Sequence, residues 1–237
     1  MSRSTLSYPS LHLQLLVLIL ALTALLGKEI HLAAVPLVFW RCSIAVVGLL
    51  ILYLIRCKES PLLAKRLGLS CLTGGILGLH WITFFLAIKL SNVSVCLAGM
   101  TISAAFTSIT EAVIEKRLPK RTEFALGIAI IPGLLLMIYG LNSSELMKID
   151  GYKTGFLVAL SSAFLASIFP VLNRQLMSSG ESPQAITLVE LVTAAALCAI
   201  LSLVLHGDIQ MPAQQDWLLL CILAIACTVF AFCYHCF

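Results

Sequence analysis

Five residues stand out because their chemistry and their surroundings disagree. Arg41, Glu111 and Glu190 carry ionisable groups inside long apolar stretches, and His80 and Trp81 stand side by side within another. An ionisable group at bilayer depth costs several kcal/mol unless it pairs or faces water, so each is a candidate for contact with a solute. His80 can relay a proton near neutral pH, and Trp81 can wall an apolar substrate. Plainer readings stand beside these. Arg41 can carry its head to the interface along its apolar stem, Arg41 and Glu190 can pair with neighbouring helices to fix packing, His80 can make one hydrogen bond across to a neighbour, and Trp81 can simply pack. Glu111 lies four residues before Glu115, Lys116 and Arg117, which read as a solvated helix end. Glu111 is deeper and is a candidate for lining a path. Lys28 and Glu29 are expected at the outer interface, and Asn173 and Arg174 at the inner one.

The elements that must hold these residues follow from composition. Of 237 residues, 60% are apolar and 11% are charged, against about 45–50% and 25% in a soluble domain, so lipid is the main solvent. The apolar residues come in blocks of about twenty, the length at which a helix crosses a bilayer core. Windows of that size predict eight spans, near residues 11–30, 34–55, 67–88, 92–112, 123–141, 154–176, 185–206 and 216–236. Continuous apolar runs of this length exclude a β-barrel, whose strands alternate over about ten residues. The first span is too long for a cleaved signal peptide and lacks its small-residue exit site.

Short polar connections make the spans alternate in direction. With the N-terminus in the cytoplasm, the inner segments hold Arg3, Arg56, Lys58, Lys65, Arg66, Lys116, Arg117, Lys120, Arg121 and Arg174, ten basic residues, and the outer ones hold Lys28, Lys89, Lys148 and Lys153, four. The positive-inside rule therefore puts the N-terminus inside. Small residues gather at Gly74, Gly75 and Gly78, at Gly127, Gly133 and Gly140, and at Ser161, Ser162, Ala163 and Ala166, as close helix contacts in membranes require. Pro132 and Pro170 fall inside spans and are expected to kink them.

Spans one to three and six to eight share an order of helix, short turn, proline-started helix, longer polar loop and helix, with Pro36 and Pro183 in matching places. The likeness is one of hydropathy and spacing. If the unit is five spans, the second copy is inverted, the arrangement of many secondary transporters with substrate held near the midplane. Arg41 and Glu190 are then rough counterparts that can face one central cavity. The expected organisation is a first unit over 1–145 and a second, incomplete one of three helices over 146–237. Residues 89–145, 57 in all, have no counterpart after Phe237, so a full version is expected to carry roughly sixty more residues, by the repeat logic.

Three stretches carry a resemblance: Pro36-Leu-Val-Phe-Trp-Arg41, Trp81-Ile-Thr-Phe-Phe-Leu-Ala-Ile-Lys89-Leu-Ser-Asn-Val-Ser, and Glu115-Lys-Arg-Leu-Pro119 leading to Gly127 and Gly133. In order and spacing the chain resembles the EamA-like family of the drug/metabolite transporter superfamily. The first and third stretches are similar to the family's arginine early in span two and its Glu-Arg-Leu turn before a glycine-containing fifth span. The resemblance implies ten helices in two inverted five-helix repeats, export or uptake of small metabolites such as amino acids, sugars or drugs, and a bacterial plasma membrane. Two departures are visible. The proline often found in the fourth span is replaced by Thr101-Ile-Ser-Ala-Ala-Phe106, and the second repeat ends early.

The fold class expected is an all-α membrane protein, a polytopic bundle of inverted repeats. The function expected is a secondary-active permease for a small organic metabolite, with Arg41, His80, Trp81, Glu111 and Glu190 as substrate-binding residues. The alternative is a non-transporting membrane protein or an inactive truncated carrier. No Walker loop, Gly-x-Ser-x-Gly elbow or His-Glu-x-x-His appears, so no enzyme activity is expected. No cofactor and no metal are expected: Cys233 and Cys236 are the closest cysteine pair, and a site there needs ligands from another helix. The expected partners are the lipid bilayer and a small-molecule substrate, with no nucleic acid and with a homodimer left open.

Overall fold

A computed structural model describes residues 8–56, 65–117 and 151–230, with isolated helical positions between 122 and 133. The described elements are helices α1 (Tyr8–Glu29), α2 (Ala34–Arg56), α3 (Leu67–Leu90), α4 (Val93–Met100), α5 (Ser103–Ile114), α6 (Tyr152–Ser178), α7 (Pro183–His206) and α8 (Asp216–Ala224), the last continuing into a π-helical turn over Ile225–Phe230. Five segments are long and apolar enough to cross a membrane: Ala34–Ile55, Leu67–Leu90, Val93–Ile114, Tyr152–Ser178 and Pro183–His206. The chain is thus an all-α polytopic membrane protein. The expected fifth span lies largely outside the described residues, as do Cys233 and Cys236.

The packing is inside out relative to a soluble protein. Large apolar side chains such as Ile55, Val113 and Val204 point outward, the last 75% exposed, while Arg41, Glu190 and Asp216 are each 2% exposed or less. Lipid accepts the former without cost, and only the interior can satisfy the latter. Helix α3 sits between α6 and α7, which barely touch each other. On the far side of α7 lies α2, followed by α8 and the π turn; α4 and α5 cover the far side of α6.

Local chemistry sets the boundaries. Asn92 caps α4 by accepting a hydrogen bond from the Val95 amide at 2.9 Å, as an N-cap residue does. Pro183 opens α7, where no amide is needed, and Gly207 ends it at φ 79°, a backbone conformation that side chains resist. The expected span over 92–112 stands as Val93–Ile114, with its helix interrupted between Met100 and Ser103. No proline does this; the Thr101 amide and hydroxyl both turn back to the Ala98 carbonyl, at 3.2 and 2.7 Å. The tightened turn stands where the resemblance anticipates proline. Helix α6, by contrast, runs continuously through Pro170.

Small residues set how closely α3 and α7 approach. A Cβ on Gly74 would lie 2.6 Å from the Glu190 Cα, and one on Gly78 would lie 3.2 Å from the Ala194 Cα, whereas Gly75 faces open space. Backbone contact of this kind is the reason for glycine at membrane helix interfaces. It also fixes Glu190 against α3.

Candidate functional site

Arg41 is carried about two turns into α2 with its whole side chain inside the bundle. It does not reach for the interface. Its Nε donates to Thr228 Oγ1 at 2.9 Å and its Nη2 to the Cys227 carbonyl at 3.4 Å. Both acceptors belong to the π-helical turn, whose wider winding takes carbonyls out of the regular i to i−4 ladder; Thr228 itself donates five residues back, to the Leu223 carbonyl at 3.3 Å. Single π turns inside helices often mark functional positions. The guanidinium carbon stands 4.2 Å from the Trp81 ring centroid and 5.7 Å from that of Phe85, a cation–π arrangement that partly replaces lost hydration. Arg41 Nη1 is buried and has no hydrogen-bond partner. No carboxylate among the described residues lies within ion-pair distance of Arg41.

Two of the expected residues are thus in contact, and His80 is adjacent to them on α3. His80 Nδ1 lies 3.0 Å from the Ser162 carbonyl and 2.9 Å from Ser162 Oγ, which donates to the His80 carbonyl at 3.0 Å. A carbonyl can only accept, so Nδ1 carries the proton in this arrangement. The residue pins α3 to α6 through this exchange, with Phe84 and Phe169 ring centroids about 6 Å away, at 6.1 and 6.0 Å.

Glu190 lies elsewhere along α3. The seven residues from Gly74 to Trp81 span about 10 Å of helix, so Glu190 and Arg41 occupy different depths and form no ion pair. The Glu190 side chain is fully buried, and neither carboxylate oxygen has a hydrogen-bond partner. Its polar neighbour is Asn173 on α6, whose Oδ1 is likewise buried and unpartnered. Asn173, read as interfacial, therefore sits beside the most buried carboxylate; the helical register that turns it inward is invisible to hydropathy.

Glu111 is apart from all of these. Its carboxylate meets Arg117 at 2.8 Å and Arg174 at 2.9 Å, and Arg117 and Arg174 also pair with Glu115. This cluster joins the end of α5 to that of α6 and is partly solvent-exposed. At the same end, Glu181 accepts hydrogen bonds from the Lys65 and Arg66 amides at 2.8 and 2.7 Å, a carboxylate at the start of α3 where free amides and the helix dipole favour it. At the opposite end, Asp216 accepts from the His31 amide at 3.3 Å and meets His31 Nδ1 at 3.0 Å, and Trp40 Nε1 donates to the Gln210 carbonyl at 3.0 Å. Asp216, Glu181 and Thr228 were not singled out by sequence. The only signal for Asp216 and Glu181 is an acidic residue next to a connection, which many solvated loops share.

A polytopic bundle with its charges inside and its apolar residues outside defines the class: an integral multi-pass membrane protein. Residues 153–237 match the model of the EamA-like transporter family, the family that the motifs resemble. The motifs themselves lie before residue 134, outside the matched region, and the two lines of evidence are therefore separate. The match points to a membrane transporter of the drug/metabolite type. No curated protein matches the chain. A crystal structure of a protein superposes with a TM-score of 0.69 at 17% identity, over 96% of this chain and 78% of its own; at that identity the likeness is one of fold.

Proposed function

We propose that the protein is a secondary-active carrier that moves a small organic metabolite by alternating access. The observation that carries this reading is a pair of fully buried ionisable side chains, Arg41 on α2 and Glu190 on α7, neither with an ion-pair partner among the described residues. Burial of an ionisable group without a partner costs several kcal/mol, whether it stays charged or is forced neutral, and a fold that keeps two of them gains nothing in stability from doing so. A carrier does gain, because each meets its partner when the bundle opens.

The inverted units, 1–145 and 146–237, supply the motion. Ties between them stand at both ends: His31 to Asp216 and Trp40 to Gln210 at one, Glu181 to the Lys65 and Arg66 amides and Arg174 to Glu111 and Glu115 at the other. Rocking about the centre breaks one set while keeping the other, so solute has access from one side at a time. The end that holds Lys65, Arg66, Arg117 and Arg174 faces the cytoplasm of a bacterium, by the positive-inside asymmetry. In this reading Arg41, Trp81 and Glu190 contact the solute, while His80 ties α3 to α6 and Glu111 ties α5 to α6.

The test is uptake into proteoliposomes of radiolabelled amino acids, sugars and organic acids, with solute preloaded inside to detect exchange. Saturable uptake that Glu190→Gln reduces at least about tenfold, as loss of one charge-assisted contact would, supports the carrier. Absence of exchange with every class supports a non-transporting membrane protein instead.

A further inference from the structure

The interior around Arg41 specifies more than a cavity. A guanidinium offers five N–H donors in a fixed plane. Thr228 and Cys227 take donors on Nε and Nη2, the Trp81 ring covers a face, and Nη1 is left buried with nothing to donate to. The site is therefore held in position by neutral acceptors and lacks only an anion. The surroundings limit that anion. Trp81 and Phe85 are apolar neighbours. The other basic group close by, His80, has Nδ1 committed to Ser162. One cation among aromatic rings balances a single negative charge; a dianion would leave its second charge uncompensated in a low-dielectric interior.

We propose that the substrate is a small organic monoanion whose carboxylate takes the free Nη1 of Arg41 and supplies the counter-ion that this buried guanidinium lacks among the described residues. The inference rests on the carrier reading, because solvent does not reach Nη1 in this structure and only an opening of the bundle gives a solute a route to it. The chemistry is shared by a soluble carboxylate and by an anionic lipid headgroup, and the experiment separates them.

The full chain in nanodiscs of phosphatidylcholine alone is heated with millimolar acetate, phenylacetate or 2-oxobutyrate, and with the matching amides, which keep the shape and remove the charge. At least one carboxylate is expected to raise the unfolding temperature while its amide does not. Phenyl phosphate, a dianion, is expected to have no such effect. Arg41→Met is expected to fold at the same or a higher temperature, since it removes an unbalanced charge, and to weaken carboxylate binding at least about tenfold. If Arg41→Met fails to fold, the comparison of acid with amide on the unsubstituted chain still decides. Equal effects of acid and amide, an unchanged response in Arg41→Met, or no response to any of the three carboxylates overturns the proposal. Phosphatidylglycerol nanodiscs that raise the unfolding temperature through Arg41 and abolish the carboxylate response identify a headgroup as the counter-ion and also overturn it. The two readings fail separately. Saturable flux of neutral or cationic solutes without an anion response sinks this inference and leaves the carrier; carboxylate binding without exchange of labelled carboxylate sinks the carrier and leaves the site.

Discussion

Glu111 and Glu190 are the same residue in the same kind of apolar stretch, and the structure gives them opposite surroundings. Glu111 finds two arginines at 2.8 and 2.9 Å near the end of the bundle and keeps 22% of its side chain exposed. Glu190 finds none, is wholly buried, and lies against the backbone of Gly74. The difference separates two uses of charge in a membrane protein. A charge with its counter-ions in place joins helices; an ionisable group without them is the one that the carrier reading assigns to the solute. Arg41 belongs with Glu190, although hydrogen bonds and a ring hold it more firmly.

The comparison breaks most severely at Gly74. A methyl group there would stand 2.6 Å from the Glu190 Cα and 2.7 Å from its carbonyl oxygen, so α3 and α7 must part. Neither atom is the end of a flexible side chain that can swing away. Gly74→Ala is expected to destabilise the bundle by at least about 3 kcal/mol, the upper range for overpacking, and to displace Glu190, with loss of a monodisperse peak in size-exclusion chromatography. Gly75→Ala, one residue along with nothing within 4 Å, is expected to leave both unchanged. An equal effect of the two would mean that the close contact at Gly74 does not set the helix distance.

Next in size is the exchange of each glutamate for glutamine. Glu190→Gln is expected to lower flux at least about tenfold while keeping or raising the unfolding temperature, because a buried group that can ionise without a partner is replaced by a neutral one. Glu111→Gln is expected to do the reverse, with flux within about twofold and a small loss of stability, as for a partly exposed pair. Matching losses of flux in both would erase the distinction drawn between them.

Much of this was legible in the sequence, for a physical reason. Hydropathy reports which segments enter lipid, so the helices described before residue 117 and from 151 to 206 lie close to their expected limits. The break at Thr101 was not legible, since hydropathy does not register a hydroxyl that turns back to its own helix. Nor was the ranking of the charged residues. The arginines that satisfy Glu111 include one 63 positions away, and the acceptors of Arg41 come from a π turn nearly 190 residues on. The sequence reads Asn173 as interfacial together with Arg174; one step around a helix turns a side chain by about 100 degrees, enough to bring it to Glu190.

Ser162 tests how far His80 belongs to each group. Its hydroxyl donates to the His80 carbonyl and its own carbonyl and hydroxyl meet His80 Nδ1. Ser162→Ala removes the hydroxyl and keeps the carbonyl, so one link between α3 and α6 survives. A loss of about 1 to 2 kcal/mol is expected from a buried polar contact of this kind, with binding of solute retained. A larger loss of flux than of stability would move His80 from the helix contacts into the solute path.

The smallest effect sharpens the other side. Arg174 is half exposed, and it bridges α6 to the end of α5 through Glu111 and Glu115. Exposed pairs contribute less than about 1 kcal/mol each, and salt at molar concentration screens them within about 3 Å. Arg174→Gln is therefore expected to lower the unfolding temperature slightly at low salt, and the difference from the unsubstituted protein is expected to disappear as salt rises. Glu190 is sheltered from bulk ions by its burial, so the effect of Glu190→Gln on flux should not depend on salt in the same range. A salt-dependent effect at Glu190 would show that ions reach it, and would place that carboxylate in an open aqueous path in the resting protein. A salt-independent effect at Arg174 would show that its pairs are desolvated and bind α5 to α6 as tightly as the interior contacts do. Either result would move one residue across the boundary on which the reading of this bundle depends.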